Sequence, residues 1–352
     1  MTSFRVETHY AVQAGNADKP LAGNKNQRGT TMKAILKTVI AVCLISTASI
    51  ACANAELHIR VGGTGTPESP DTKVIELFKQ QVEAALGKDV TVELFPASQL
   101  GTWSEMVEQV KGGVLECLYE SVGDLGDFAP AANIEGVAYL YRDDDHFFRI
   151  WRGPVGQEIL DTIANEAGFR VLGPGFRGFR QFLVKKPVDS LADLQGMKIR
   201  VPGIPAYVTS IQALGVSPTS VAFEEAYAAL QQGVVDGLEQ PLVAIKDHRF
   251  YEVAKHLVMT NHMAETMGFM CGEPWYQKLD APTKAAIGKA ADAGADWYRK
   301  YTKENTDQII TELKAAGVVV HTPNLDEFAE RAKTATFDAK LQPIIDKIRA
   351  VQ

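Results

Sequence analysis

The run ELHIRVGGTGTPESPDTKVIELFKQQVEAALGKDVTVELF, residues 56–95, decides the fold. Leu57–Gly62 reads as a strand, with Ile59 and Val61 on one face and His58 and Arg60 on the other. Ser69-Pro70-Asp71 is a helix start: Ser accepts from the first free N–H groups, Pro presets the first turn, and Asp faces the positive end of the helix dipole. Val74, Leu77, Phe78, Val82 and Ala85 then recur at helical spacing until Gly87 stops them. DVTVELFP (89–96) alternates again as a strand. Strand, helix and strand in this order form the unit of a parallel sheet with its helix laid across one face.

Working outward, Thr102-Trp103-Ser104-Glu105 is a capping box for a helix that carries Met106, Val107 and Val110 and stops at Gly112-Gly113. VLECLYE (114–120) reads as the third strand, which makes the first part β-α-β-α-β. A second series follows. GFRQFLVKKPV (178–188) reads as a strand, and SLADLQGMKIRVP (190–202) as a capped short helix and a strand. TSIQALGVSPTSV (209–221) gives a helix and a strand, and AFEEAYAALQQGVVDGLEQP (222–241) a helix and a Gly-bounded strand at Val234–Leu238. TMGFMCG (266–272) is strand-like, Pro282 to about Ala316 is one long helical pattern, VVVHTP (318–323) is a last strand, and the remainder is helical. With no low-complexity linker between the two series, the expected architecture is two α/β lobes joined by several strand crossings.

The chain has 352 residues, 46% hydrophobic and 22% charged, enough for two lobes with real cores. Its formal net charge of −7 and lack of a basic stripe argue against nucleic acid as a partner. Lys33 and Lys37, the apolar stretch Thr38–Ile50 and the small-x-small site Ala53-Asn54-Ala55 form an export signal at 32–55, with a mature start at Glu56. The stretch is short for a membrane span, and no second long apolar run follows, so the product is expected to be soluble and periplasmic. Residues 1–31 are polar and shapeless and read as a misread start or an unusual leader. Cys52 invites a lipoprotein reading, but Ser49 stands where an aliphatic residue is usually wanted. Cys43 and Cys52 leave with the signal. Cys117 and Cys271 remain in an oxidising compartment, either paired or, the favoured reading, as two buried small apolar residues.

Candidate chemistry concentrates near strand ends. VGGTGTPES (61–69) matches neither GxGxxG nor GxxxxGK[ST], which argues against a nucleotide and leaves a ligand-approaching loop or a plain turn. Arg177, Arg180 and Arg200 sit on or beside strands with few local acids. A buried Arg needs an anion, either an internal carboxylate or one brought by a ligand; two Arg strands in succession with few local acids favour a shared external carboxylate. The planar guanidinium matches a carboxylate with two parallel hydrogen bonds. Pro202-Gly203 puts Arg200 near the carboxyl end of its strand, where ligands collect in open α/β sheets. Glu120, Glu239 and Gln240 occupy similar rims, and Glu120 would suit hydroxyls or an amine. Trp103, Phe179, Phe223 and Tyr227 line a pocket or fill the core. The His residues are scattered, and there is no HExxH, GxSxG or metal spacing, so neither catalysis nor a metal or other cofactor is expected. Asp143-Asp144-Asp145-His146 reads as a solvated helix start.

FPASQLG (95–101), KIRVPG (198–203), FEEAYAALQQGVVDGLEQP (223–241) and FYEVAKHLVMTNH (250–262) together resemble the DctP-type extracytoplasmic solute receptors of TRAP (tripartite ATP-independent periplasmic) transporters, in order and spacing over almost all of Leu57 to the C-terminus. The resemblance implies a class II-like periplasmic-binding-protein fold with several hinge crossings and a long helix spanning both lobes, a role the 282–316 helix fits. It implies lobe I at 56–177 plus 267–305 and lobe II at 178–266 plus 306–352. It also implies a salt bridge from Arg200 to the carboxylate of a small organic anion, a second contact from Arg180, and Glu120 and Phe223 around the ligand; Trp103 and Gly203 are added as candidate ligand-binding residues from their places in the sequence. In DGLEQP (236–241), Gln240 stands where the family often has Asn, and its extra methylene displaces that contact or the ligand. Membrane permease subunits are the implied partners, and ATP is not implied. The alternatives are an exported enzyme acting on an organic acid through Glu120, or a periplasmic sensor input domain.

Overall fold

The computed structural model describes residues 57–352. The expected signal segment, its cleavage site at Ala55 and the leader 1–31 lie outside the described residues. β1 (Leu57–Gly62), β2 (Val90–Phe95) and β3 (Cys117–Ser121) form the parallel unit expected, with β1 in the middle. Ser69 caps the Pro70–Leu86 helix by accepting from the Thr72 N–H, and Thr102 and Glu105 close a reciprocal capping box on the Trp103–Lys111 helix. Ile59, Val61, Val74, Phe78 and Val82, the apolar faces read from the sequence, bury together in one core.

β4 (Phe169–Val184) is the element that unites the molecule. Its first part, from Phe169 to Phe179, pairs antiparallel with β9 (Ala264–Gly272), which in turn pairs with β3. Its second part, from Arg180 to Val184, pairs with β7 (Gly237–Pro241) and β8 (His256–Val258). β5 (Lys198–Val201) runs parallel between β7 and β6 (Ser217–Ser220), and β10 (Val319–His321) pairs with β8. The strand order is β2-β1-β3-β9-β4-β7-β5-β6, so two α/β lobes share one strand. Register shifts between Leu172 and Gly175 and between Phe176 and Gly178 let β4 bend where it passes from one sheet to the other. At Gly173, φ is +59°, and a Cβ there would lie 2.3 Å from the Ala291 carbonyl oxygen of the long helix, so only glycine fits.

That long helix, Ala281–Ala315, is started by Asp280 accepting from the Thr283 N–H and lies against β4 and the Pro70–Leu86 helix. Close approach is possible because Ala290, Ala291, Gly294 and Ala295 face inward: a Cβ on Gly294 would meet Val74 Cγ1 at 2.7 Å. Asp143 caps the Asp144–Trp151 helix, and Arg299 of the long helix holds Asp144 and Asp145, so the acidic run is the helix start expected.

Several expectations change. The strand read at 178–188 runs Phe169–Val184, so it starts nine residues earlier and ends before Lys185. The third strand begins at Cys117, because Val114 lies in the turn before it, 60% exposed. β7 begins at Gly237 and not Val234, which brings Glu239 and Gln240 into the strand. Gly237 is pressed against Val184 and Ile199, where a side chain would clash, whereas Val234 is half exposed. Finally, Cys117 and Cys271 are directly opposite in the β3–β9 register and form a disulfide, overturning the favoured unpaired reading. Adjacent positions in an antiparallel pair bring the two sulfurs together, a juxtaposition that a separation of 154 residues hides in the sequence.

Candidate functional site

The carboxyl ends of β1, β3, β5 and β7 converge on one cavity. From the β1–β3 side come Thr64, Trp103, Glu120, Ser121 and Asp124; from the β5–β7 side come Arg200, Pro202, Ile204, Tyr207, Phe223 and Gln240. Arg177, Arg180 and Glu265 enter from β4 and β9, the strands shared or adjoining at the join. The loop after β1 reaches the cavity: Thr64 lines it, and its N–H donates to Glu120 Oε1 at 2.5 Å.

The three arginines are not equivalent. Arg177 pairs with Asp71 and, at 3.3 Å, with Glu265. Arg180 donates from Nε and from Nη2, the latter at 2.8 Å, to the Glu239 carboxylate, and its Nη1 lies 3.2 Å from Glu265 Oε2. For both, internal carboxylates take the place of the favoured external one, because acids distant in the chain fold onto them, and both remain on the cavity wall. Arg200, 2% exposed, has no carboxylate partner among the described residues. Its Nε donates to the Val221 carbonyl at 2.9 Å, and its guanidinium carbon lies 5.7 Å from the Phe223 ring centre. Burial pulls its pKa down to about 10, the nearby Glu239 opposing, so it stays charged at neutral pH. With its amide oxygen turned toward the arginines, Gln240 accepts from Arg180 Nη2 and Arg200 Nη1, both at 3.2 Å, and so bridges a paired cation and an unpaired one.

The acids of the wall are shifted toward their neutral forms. Burial pushes the Glu120 carboxyl up to about 7, against the opposing hydrogen bond from Thr64. Burial likewise holds Asp124 well above the usual carboxylate range, with Glu120 and Glu135 adding to it. Behind the wall, Glu135 accepts from Ser121 Oγ at 2.6 Å and from Tyr207 Oη at 2.5 Å and is pushed to about 7, again chiefly by burial. The cavity thus joins one uncompensated cation to carboxyl groups able to donate as well as accept.

Of the residues singled out from the sequence, Arg200, Arg180, Gln240, Glu120, Phe223 and Trp103 are brought together. Gly203 is not: it is exposed, and its neighbours Pro202 and Ile204 line the cavity instead. Phe179 packs on the core behind, and Tyr227 donates to Glu252 outside the cavity. Asp124 and Tyr207 were missed. Each lies a few residues past a cavity-forming strand, Asp124 after β3 and Tyr207 after β5, and that position was their signal.

The model of the bacterial extracellular solute-binding proteins of family 7 (DctP) matches residues 61–349. The chain belongs to this family. This solute-binding protein is 31% identical over 323 residues, 91% of its own length and 100% of the relative's, to the sialic acid-binding periplasmic protein SiaP of Vibrio cholerae. It is similar in structure, at a TM-score of 0.79 and 27% identity over 83% of its length and 98% of the other's, to a TRAP periplasmic solute-binding protein of Roseobacter denitrificans with bound L-galactonate. A TRAP protein of Bradyrhizobium in complex with D-galacturonate matches at a TM-score of 0.79 and 29% identity, over 84% and 100% of the two chains. The two-lobe binding-protein fold and the receptor class expected from the motifs are therefore those of its relatives. Among the described residues, no helix is long and apolar enough to cross a membrane.

Proposed function

We propose that this solute-binding protein captures a monoanionic, hydroxylated organic acid of the uronate or aldonate class between its lobes. Arg200 forms the salt bridge to the ligand carboxylate, Gln240 and Arg180 flank it, and Glu120 and Asp124 meet the hydroxyls. Phe223 and Trp103 cover the ring or chain. The lobes are 56–177 plus 267–305 and 178–266 plus 306–352, and closure about β4 excludes water and strengthens the ion pair. The ligand shifts the population toward the closed form, which docks on a TRAP membrane permease. The protein works in the periplasm after cleavage near Ala55 and changes no bond in its cargo.

One observation carries this reading: Arg200 is buried without a carboxylate of its own. The uronate and aldonate ligands of the similar Bradyrhizobium and Roseobacter proteins support the class. The test is a thermal-shift screen with D-galacturonate, D-glucuronate, L-galactonate, D-erythronate and N-acetylneuraminate, followed by calorimetry and mass spectrometry of the recovered ligand. A tight ligand at a hundredfold excess over its Kd adds about 2.7 kcal/mol of stability. No shift with any organic anion defeats the proposal, and recovery of an altered acid favours an enzyme.

A further inference from the structure

At the far edge of the β4–β8–β10 sheet, away from the residues that line the cavity, two imidazoles face each other. His256 Nδ1 of β8 lies 2.9 Å from His321 Nε2 of β10, and the rings are inclined at 43°. On its other side, His321 Nδ1 lies 2.7 Å from Asp189 Oδ1. An ionised carboxylate only accepts, so His321 carries its proton on Nδ1 and presents a bare Nε2 lone pair. The Asp–His pair in this order is the arrangement that orients a metal-ligating histidine and raises its basicity. From these contacts we infer that His256 Nδ1 and His321 Nε2 form a binding site for a late first-row divalent cation, Cu²⁺ foremost, with Asp189 as the group that positions His321.

The separation fits that class. Two imidazole nitrogens at about 2.0–2.1 Å from one metal, in adjacent corners of a square, stand about 2.9 Å apart; at tetrahedral corners they stand about 3.3 Å apart. Tetragonal Cu²⁺ or Ni²⁺ is therefore met at the existing spacing, and Zn²⁺ requires the rings to part. The metal sits off the line between the two nitrogens, so both rings must tilt toward it. His256 is half-buried at the start of a three-residue strand and is the one placed to turn, whereas His321 is nearly covered and held by Asp189. The exchange is balanced: His256 gives up its Nδ1 proton to water and takes one on Nε2, so the metal replaces a hydrogen bond with no net proton release. Two protein ligands leave the other positions to water, and the exposed Asp189 carboxylate supplies a balancing charge nearby.

The test is titration of the full chain with Cu²⁺ in a non-coordinating buffer, read by electron paramagnetic resonance and by a competing chelator. Binding at this site is taken as the difference from His321→Gln, so that copper held elsewhere cancels. The expected result is one additional Cu²⁺ in the wild-type protein, with two-nitrogen superhyperfine splitting. That ion is lost in His256→Gln and in His321→Gln, and is bound 10–100-fold more weakly in Asp189→Asn. Circular dichroism checks that each variant is folded. No additional Cu²⁺ in the wild type, or equal uptake in His256→Gln, overturns the inference. Unchanged affinity in Asp189→Asn overturns the role given to Asp189.

Discussion

Replacing Arg200 and Arg180 in turn by Met separates a cation kept for a guest from one consumed by the fold. Arg180 is met by Glu239 and Glu265, both buried. Removing it leaves the buried Glu239 carboxylate without its arginine and Glu265 with Arg177 alone, a loss of about 3–5 kcal/mol of folding stability. Arg200 has only the Val221 carbonyl and the Gln240 amide, so its loss strands no charge, and Met relieves the cost of burying one. The apo Arg200→Met protein is therefore expected to be as stable as wild type or more so in urea unfolding. Binding moves the other way. Two charge-assisted hydrogen bonds to a carboxylate are worth about 1.5–3 kcal/mol each, hence about 3–6 kcal/mol together. At about 1.4 kcal/mol per decade, Kd for D-galacturonate should rise about 10²–10⁴-fold in Arg200→Met. Arg200→Lys keeps the charge but loses the fork, and should fall between. Calorimetry and urea titration on the same preparations give both numbers. If Arg200→Met loses as much stability as Arg180→Met while keeping wild-type affinity, the guanidinium is structural and the reasoning fails.

Four further outcomes follow from the same geometry. The folded protein keeps the Glu120 proton up to about 7, while the ordinary value for the group is 4.5, so the stability this supplies is full below 4.5 and is lost as pH rises through 7. Glu120→Gln should remove roughly 3 kcal/mol of that pH dependence, read as the difference between urea midpoints at pH 4.5 and 7.5. Reducing the Cys117–Cys271 bridge, which spans 154 residues, should cost up to about 5 kcal/mol, and its full burial means the reductant acts only in partial denaturant; a Cys117→Ser/Cys271→Ser protein of unchanged stability would contradict this. Glu224 Oε1 accepts from the Trp103 N–H at 3.1 Å, joining the β5–β7 lobe to the β1–β3 lobe. Glu224→Ala should weaken D-galacturonate binding about 3–10-fold, the range one lost hydrogen bond between the lobes allows, read by calorimetry. Galactarate, which adds a second carboxylate to the same carbon skeleton, should bind at least about 100-fold more weakly than galacturonate at pH 7, the cost of a buried charge with no cation to meet it; equal affinities in a competition assay refute the charge balance on which this rests.

Most of the fold was legible because each element carries its own local signal. The Ser69 and Thr102 caps, the Gly87 stop and the 3.6-residue apolar spacing of the long helix depend on neighbours within a turn or two. What escaped depends on contacts far apart in the chain. The start of β4 is masked by Gly173-Pro174-Gly175, residues chosen for close approach to the long helix and a bend between sheets, which reads locally as a break. The site divided along the same line. Arg200 was visible as a cation on an apolar strand before Pro202-Gly203, and Glu120 and Gln240 as polar residues at strand ends. The carboxylates that neutralise Arg180 and Arg177 come from β7, β9 and the Pro70–Leu86 helix, separated from them by 59, 88 and 106 residues, so the sequence alone could not say which arginine was left over.

The remaining step is charge balance. Arg177, Arg180 and Arg200 face Asp71, Glu239 and Glu265, three cations against three carboxylates, with the carboxylates gathered around the first two. If Glu120 and Asp124 were ionised as well, the wall would be net negative and would repel the anion that Arg200 needs. Burial resolves this by raising both acids toward their neutral forms. A neutral carboxyl offers one donor beside its acceptors, which matches an alcohol that both gives and takes a hydrogen bond. The proposed cargo, one carboxylate at Arg200 and a row of hydroxyls toward β3, is the one that leaves neither an unmatched charge nor an unmatched polar group in a cavity that divides its cations this way.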